Sequence, residues 1–168
     1  MQKIGAGIPR PYNPLNEKGD VQMIPKHDED FYGWAMAEAS LLRQRKWSEL
    51  DIEHLAEELE SMGTSEKREL VSRMAQLIFH LLKWQLQPDY REFNKRSWEG
   101  SIIGQRKQIS RLIRDNPSLK SILSQSLADS YEDSQVFIRK ETPIDLKLLP
   151  TECPYTFEQI MNDEFYPE

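Results

Sequence analysis

The sequence contains a single cysteine, Cys153, and no long apolar run. One thiol excludes an internal disulfide and any zinc site built from several cysteines, and it is typical of a reducing compartment. The N-terminal residues lack the apolar core of a secretory signal. No stretch reaches the roughly 20 apolar residues that a membrane-spanning helix needs. We therefore expect a cytoplasmic protein with no membrane segment.

Several catalytic signatures are also missing from the sequence. It has no glycine-rich phosphate loop, no Ser/His/Asp triad and no Cys–His pair at a useful spacing. The Glu-x-x-His pairs that di-iron helical bundles use are absent, and Asp51-x-x-His54 is the nearest approach to one. These absences favour a non-enzymatic protein without a cofactor or a bound metal.

Proline and glycine are concentrated at the N-terminal end, where residues 1–27 contain four prolines and three glycines. These residues show no apolar period of 2 or 3.6, which predicts a flexible arm. The remaining residues, 28–168, show helical periodicity and no long strand pattern. A chain of 168 residues fits one domain, so we predict a single all-helical domain over residues 28–168.

The stretch Leu70–Gln87 is the most apolar part of the chain. Its apolar positions cover roughly 220° of a helical wheel, whereas about 100° suffices for a helix buried on one side. Such a helix must be surrounded by other helices. The pattern therefore predicts an all-α fold, a compact bundle of five to six helices around a central buried helix at about residues 65–87.

Local signals predict where the other helices begin and end. The acidic residue Asp28 is expected to cap the first helix, and Ser48 a short second helix that Gly63 ends. A charged connector over residues 89–94 should precede a helix over residues 96–114, and Asn116 with Pro117 should begin the next one. Thr156 and Gln159 predict a capping box. The apolar face predicted for the second helix contains Ile52, Leu55, Ala56, Leu59 and Met62.

Charge is distributed unevenly along the chain. Residues 28–62 carry a net charge of −7, residues 64–114 carry +6, and residues 115–168 carry −7. Basic middle helices packed among acidic neighbours would explain the pattern. The alternative is a basic face kept for an acidic partner such as RNA.

Arg73 and His80 are seven residues apart, so on a helix they share one polar strip. This Arg-x6-His arrangement resembles the signature of the helical endoribonucleases of the HEPN superfamily, although the apolar Met74 after the arginine departs from it. There the histidine would act as acid or base and the arginine would stabilise phosphoryl charge. Glu57 is the carboxylate that could join them. The structural alternative is that His80 stacks on Trp84 and Arg73 pairs with an acid.

Two further groups of charged residues each have a structural and a functional interpretation. Glu53, Glu57 and Glu60 lie on one side of the second helix, either as part of a carboxylate-bound metal site or as partners of Arg68, Arg96 or Arg106. A basic strip in the later helix is either a solvated face or a nucleic-acid contact without aromatic interleaving. The strip consists of Arg96, Lys107, Arg111 and Arg114.

Six motifs are distributed from about His27 to the end of the chain. They are Asp30-Phe31-Tyr32-x-Trp34, Leu55-Ala56-Glu57-Glu58-Leu59-Glu60-Ser61-Met62-Gly63, His80-Leu81-Leu82-Lys83-Trp84-Gln85-x-Gln87-Pro88, Arg96-Ser97-Trp98, Pro117-Ser118-Leu119 and Cys153-Pro154-Tyr155-Thr156. Together they resemble the bacterial family called domain of unknown function twenty-nine. The resemblance implies an all-helical cytoplasmic bacterial protein and implies no activity.

A well-specified helical fold without a complete catalytic set predicts a protein-interaction module with a protein partner. The alternatives are a metal-independent endoribonuclease centred on Arg73 and His80, and a carboxylate-bound metal protein. The sequence does not identify the partner or the oligomeric state.

Overall fold

The computed structural model describes residues 25–168, so the arm predicted at residues 1–27 lies almost wholly outside the described residues. Within that range the chain is all-α, with five α-helices, three short 3-10 segments and no strand, which confirms the predicted fold class. It divides into two compact units, residues 25–61 and residues 62–168, which we describe separately as the first and the second unit. The helices are α1 (Phe31–Gln44), α2 (Ile52–Leu86), α3 (Pro88–Asp115), α4 (Leu123–Glu141) and α5 (Phe157–Met161).

The first unit contains a turn, α1 and the beginning of α2. Asp30, not Asp28, caps α1, because its carboxylate accepts a hydrogen bond from the backbone N–H of Gly33 at 2.9 Å. The helix ends at Arg45, whose left-handed backbone (φ 59°) satisfies the last carbonyls. Asp51 then caps α2 in place of the predicted Ser48, which lies in the 3-10 segment Trp47–Glu49.

The first unit has a small core. Its buried apolar side chains are Trp34, Ala37 and Leu41. A larger group of apolar side chains is exposed there, including Ile52 and Leu59, two members of the apolar face predicted for the second helix. The exposed residues of this unit are Phe31, Tyr32, Leu42, Trp47, Ile52 and Leu59.

Helix α2 runs without interruption through the position where two helices were predicted. Gly63, Thr64 and Ser65 are all helical, so the expected break at Gly63 is wrong. A glycine ends a helix only when the chain turns left-handed there, and in a helix interior it costs only about 1 kcal/mol. The buried run from Leu70 onward holds the helix in place despite that cost.

The core of the second unit surrounds the C-terminal half of α2, as the apolar pattern predicted. Helix α4 contacts α2 through Ser130, whose hydroxyl donates to the Val71 carbonyl at 3.0 Å, and Ser126 and Ser134 of α4 are buried as well. The fully buried apolar side chains of this core include Leu70, Met74, Leu77, Ile78, Leu81, Ile102, Ile109, Ile138 and Ile160.

Other helix boundaries in the second unit differ from the predictions. The predicted connector at residues 89–94 is helical, because Pro88 occupies the first turn of α3 instead of ending the ordered structure. Asn116 makes no N-capping bond to the segment that follows it and instead ends α3, where its backbone N–H donates to the Leu112 carbonyl. The Asn116 side-chain amide donates to Glu66 at 3.1 Å, and a 3-10 segment, Pro117–Ile122, precedes α4. The capping box of Thr156 and Gln159 is confirmed at α5.

None of the described helices combines the length and the apolarity that crossing a bilayer requires.

Candidate functional site

In the first unit a polar pocket lies where the turn before α1 meets the beginning of α2. Its volume is about 570 Å³ and its lining is rich in carboxylates and imidazoles. The lining residues are Pro25, Lys26, His27, Asp28, Glu29, Trp34, Glu38, Glu49, Asp51 and His54.

Capping of α2 places His54 in this pocket. One oxygen of the Asp51 carboxylate accepts the backbone N–H of His54 at 3.3 Å, and the other lies 2.7 Å from the His54 Nδ1. The hydrogen bond from His54 lowers the pKa of Asp51, so the carboxylate stays charged at neutral pH. Helix geometry therefore fixes both the position of His54 and the nitrogen that faces Asp51.

His27 lies on the turn before α1 with a carboxylate at each ring nitrogen. Its Nδ1 is 3.0 Å from the Asp28 carboxylate, and its Nε2 is 2.9 Å from that of Glu58. Hydrogen bonds to Asp28 and then Glu58 raise the pKa of His27, because both bonds favour the doubly protonated ring. The ring joins the turn to α2 within the first unit.

The two imidazoles stack above an indole. The rings of His27 and His54 have centroids 4.7 Å apart and planes 16° apart, and the Trp34 ring meets the His27 ring edge-on at 4.7 Å. Trp34 is 3% exposed, and its indole nitrogen has no hydrogen-bond partner among the described residues. It faces Asp51 closely enough to help lower the pKa of that carboxylate. The floor of the pocket therefore holds an indole N–H that is directed toward the Asp51 carboxylate.

Three side chains in this pocket offer metal-ligating atoms close to one another. One such atom from each of His27, Asp28 and His54 lies within 4.8 Å of those of the other two. The buried Glu38 serves the backbone instead, since its carboxylate accepts the N–H of Asp51 at 3.1 Å.

The predicted pair Arg73 and His80 lies in the second unit. Arg73 forms an ion pair with Glu69, one turn earlier on α2, at 3.2 Å. The His80 ring lies against Phe79, with centroids 5.1 Å apart, and its Nδ1 is buried without a partner among the described residues. Burial lowers the pKa of His80 to about 4, which favours the neutral ring at pH 7. A nuclease site there stays a prediction.

The other predicted site residues are all exposed. Glu57 belongs to the first unit and, like Glu53 and Glu60, makes no ion pair in the described part of the chain. The predicted pairing of these carboxylates with Arg106 is wrong, because the Arg106 guanidinium donates to backbone carbonyls instead. The basic strip is solvent-facing on α3, with an ion pair to Asp115 at one of its members. Its residues are Arg96, Lys107, Arg111 and Arg114.

Sequence reasoning missed His27, Asp28 and Trp34 as members of a site. The composition of residues 1–27 places His27 in the arm, and the acidic Asp28 predicts a helix cap. The available signal was the pair His27-Asp28 together with Asp51-x-x-His54. Nothing in the sequence indicates that these two pairs meet.

Comparison with known proteins identifies a family for this chain. A family model described as "Domain of unknown function DUF29" matches residues 27–166, which include every described helix. No curated protein matches the chain, and no solved structure matches it.

Proposed function

The chain belongs to the DUF29 family, whose description assigns no activity, and we propose from the surface of its first unit that it acts as a protein-interaction module. One observation carries the proposal: the first unit exposes six large apolar side chains and buries only three apolar ones. The second unit buries seventeen and exposes five. Exposed apolar surface concentrated in one small unit is typical of a docking surface.

The composition of α2 indicates the chemistry of the partner. Ile52, Ala56 and Leu59 lie along one side of the helix at spacings of four and three residues, and Ile52 and Leu59 are 65% and 68% exposed. We call these three residues the apolar stripe. An acidic row formed by Glu53, Glu57 and Glu60 runs beside it, and its residues are exposed. An apolar seam with an acidic edge fits an amphipathic helix with basic flanks.

Charge favours such a partner over a second copy of this chain. The first unit, residues 25–61, carries a net charge of −6. Two such units facing each other would repel, whereas a basic helix gains from electrostatic attraction during association.

A model peptide tests this proposal. We expect the full chain to bind an amphipathic lysine–leucine helix and to ignore a scrambled peptide of the same composition. The double variant Ile52→Gln/Leu59→Gln should weaken binding at least about fivefold, or about 1 kcal/mol, because it removes apolar contact area. Fluorescence anisotropy gives the dissociation constants.

Two matched controls distinguish specific binding at the apolar stripe from nonspecific hydrophobic or electrostatic binding elsewhere on the chain. Phe93→Gln/Ile103→Gln removes two exposed apolar side chains of the second unit and should leave the affinity unchanged. Glu53→Gln/Glu57→Gln/Glu60→Gln should weaken binding more than the equally charged set Glu132→Gln/Glu152→Gln/Glu164→Gln. Equal effects within either pair would refute the proposal. A dimer in sedimentation equilibrium that Leu59→Gln dissociates would show that a second copy covers the stripe instead.

A separate experiment tests the endoribonuclease alternative. Cleavage of mixed RNA by the wild type, lost in His80→Ala, would establish an enzyme and overturn the interaction module as the primary function.

A further inference from the structure

The pocket of the first unit combines the ligand types that borderline divalent metal ions prefer. Two imidazoles and one carboxylate, from His27, His54 and Asp28, offer atoms within 4.8 Å of one another. Imidazole nitrogen suits zinc and its neighbours in the first transition row, whereas calcium and magnesium prefer oxygen ligands alone. Two histidines and one carboxylate is a donor set known from zinc sites with an open coordination position.

Each histidine also has an outer carboxylate. A metal-bound histidine usually donates its other ring N–H to a carboxylate or carbonyl, which fixes the ring and makes the ligating nitrogen more basic. Glu58 lies 2.9 Å from the Nε2 of His27, which leaves Nδ1 for a cation next to Asp28. Asp51 lies 2.7 Å from the Nδ1 of His54, which leaves Nε2. Both histidines therefore have the outer partner of a ligand.

The charge of the pocket walls favours a cation. They carry five carboxylates, Asp28, Glu29, Glu38, Glu49 and Asp51, against one lysine. Such an excess of negative charge attracts a positive ion.

We propose that His27, Asp28 and His54 bind a zinc-like divalent cation, with Glu58 and Asp51 orienting the two rings. The cation takes the place of the proton that His27 shares with Asp28, and that proton is released to solvent. Its remaining coordination position faces the pocket and is free for water or a small ligand.

The stacked rings set one requirement for binding. Nearly parallel imidazoles 4.7 Å apart cannot both direct an in-plane lone pair at one ion. One ring must therefore rotate about its Cβ–Cγ bond. Carboxylates hold both rings, at His27 Nε2 by Glu58 and at His54 Nδ1 by Asp51, so the outer carboxylate of the ring that rotates must move with it.

Zinc titration of the full chain by isothermal calorimetry tests the site. We expect one zinc ion per chain, with an affinity at least about tenfold weaker in His27→Gln, Asp28→Asn and His54→Gln. Glu58→Gln should weaken binding by about 10-fold or more, the usual effect of losing an outer partner. His27→Gln changes a turn residue outside the helices, so it remains informative if His54→Gln fails to fold.

The chain supplies its own matched controls. His80, the third and last histidine, and Cys153 lie in the second unit, so His80→Gln and Cys153→Ser should bind zinc like the wild type. Imidazole NMR resonances of His27 and His54 should shift with one equivalent of zinc while those of His80 stay unchanged. Absence of stoichiometric uptake, equal uptake by His27→Gln and wild type, or uptake that depends on His80 or Cys153 would overturn the proposal.

Discussion

Arg106 is a buried cation that donates to three backbone carbonyls and lies over the Tyr166 ring. It is 2% exposed, and its guanidinium donates to the carbonyls of Ile160 at 2.8 Å, Asp163 at 3.1 Å and Phe165 at 2.7 Å. No carboxylate in the described part of the chain pairs with it. The side chain thus fastens the segment that contains α5 to α3, and it does so through geometry that only the planar, five-donor guanidinium can match.

We expect Arg106→Met to lower the free energy of unfolding by about 2–4 kcal/mol, because three carbonyls, of which that of Ile160 is fully buried, lose their donors. Arg111→Met, an exposed change on the same helix, should stay within about 0.5 kcal/mol of wild type. Urea denaturation followed by circular dichroism measures both. Similar losses in the two variants would contradict the anchoring role of Arg106.

His80 is a residue whose burial makes stability depend on pH. Burial lowers its pKa from 6.5 to about 4, so the folded chain binds fewer protons than the unfolded chain between these values. The stability that a neutral His80 contributes is complete above pH 6.5 and is lost as the pH falls toward 4. The loss amounts to at most about 3 kcal/mol, since one pKa unit corresponds to 1.36 kcal/mol.

The variant His80→Gln removes this titration and isolates its effect. Urea denaturation at pH 7 and pH 4.5 should show a smaller acid-induced loss of stability in the variant than in the wild type. Titration of His27 and of the carboxylates is common to both proteins and cancels in the comparison. An equal loss in both would show that His80 is protonated in the folded state.

At the scale of elements, α2 shows where local signals mislead. Gly63-Thr64-Ser65 has the composition of a helix end followed by a new cap, yet the chain passes through it as one helix. A Cβ at Gly63 would meet nothing within 4 Å, so no close contact requires a glycine there. The helix accommodates Gly63 in its interior and does not end there.

Two glycine variants should therefore have opposite effects. Gly63→Ala should stabilise the fold by about 0.5–1 kcal/mol, because alanine loses less backbone entropy in an exposed helix interior. Gly33→Ala should destabilise it, because the new Cβ would collide with the Asp30 carboxylate that caps α1 and lie 2.9 Å from the Pro25 ring. Thermal denaturation compares them. A loss of stability in Gly63→Ala would indicate a contact at that position that this geometry lacks.

At the scale of the whole molecule, the two units differ in how much apolar surface they bury. The first unit buries three apolar side chains, whereas the second unit buries seventeen. Local opening is easiest where few apolar contacts must break. The single domain predicted over residues 28–168 stays a prediction, and stability is expected to be uneven along it.

Hydrogen exchange measures this unevenness. We expect amides of α1 to exchange through local opening, at least about tenfold faster than amides at residues 70–82 of α2, which should exchange only through global unfolding. Uptake of zinc by the full chain should slow exchange in α1 and leave residues 70–82 less affected. Equal protection of the two segments would contradict the unequal cores.

The sequence by itself determined the helical fold and its centre. The run from Leu70 to Trp84 is apolar on most of its circumference, and burying such a helix leaves few other arrangements. The capping box at α5 was readable for the same kind of reason, because Thr156 and Gln159 interact across a single turn. Both signals involve only residues within a short stretch of chain, so they can be recognised without knowing what packs against that stretch.

Only the tertiary structure decided the site and the exposed surface. His27 and His54 are 27 positions apart, and their approach depends on a turn, a capped helix and the bond to Glu58, none of which a local pattern specifies. Ile52 and Leu59 form an apolar helical pattern whether or not anything covers them, so periodicity predicted a packed face where the structure shows an exposed one. Periodicity identifies the apolar side of a helix, but what lies against that side depends on residues distant in the sequence.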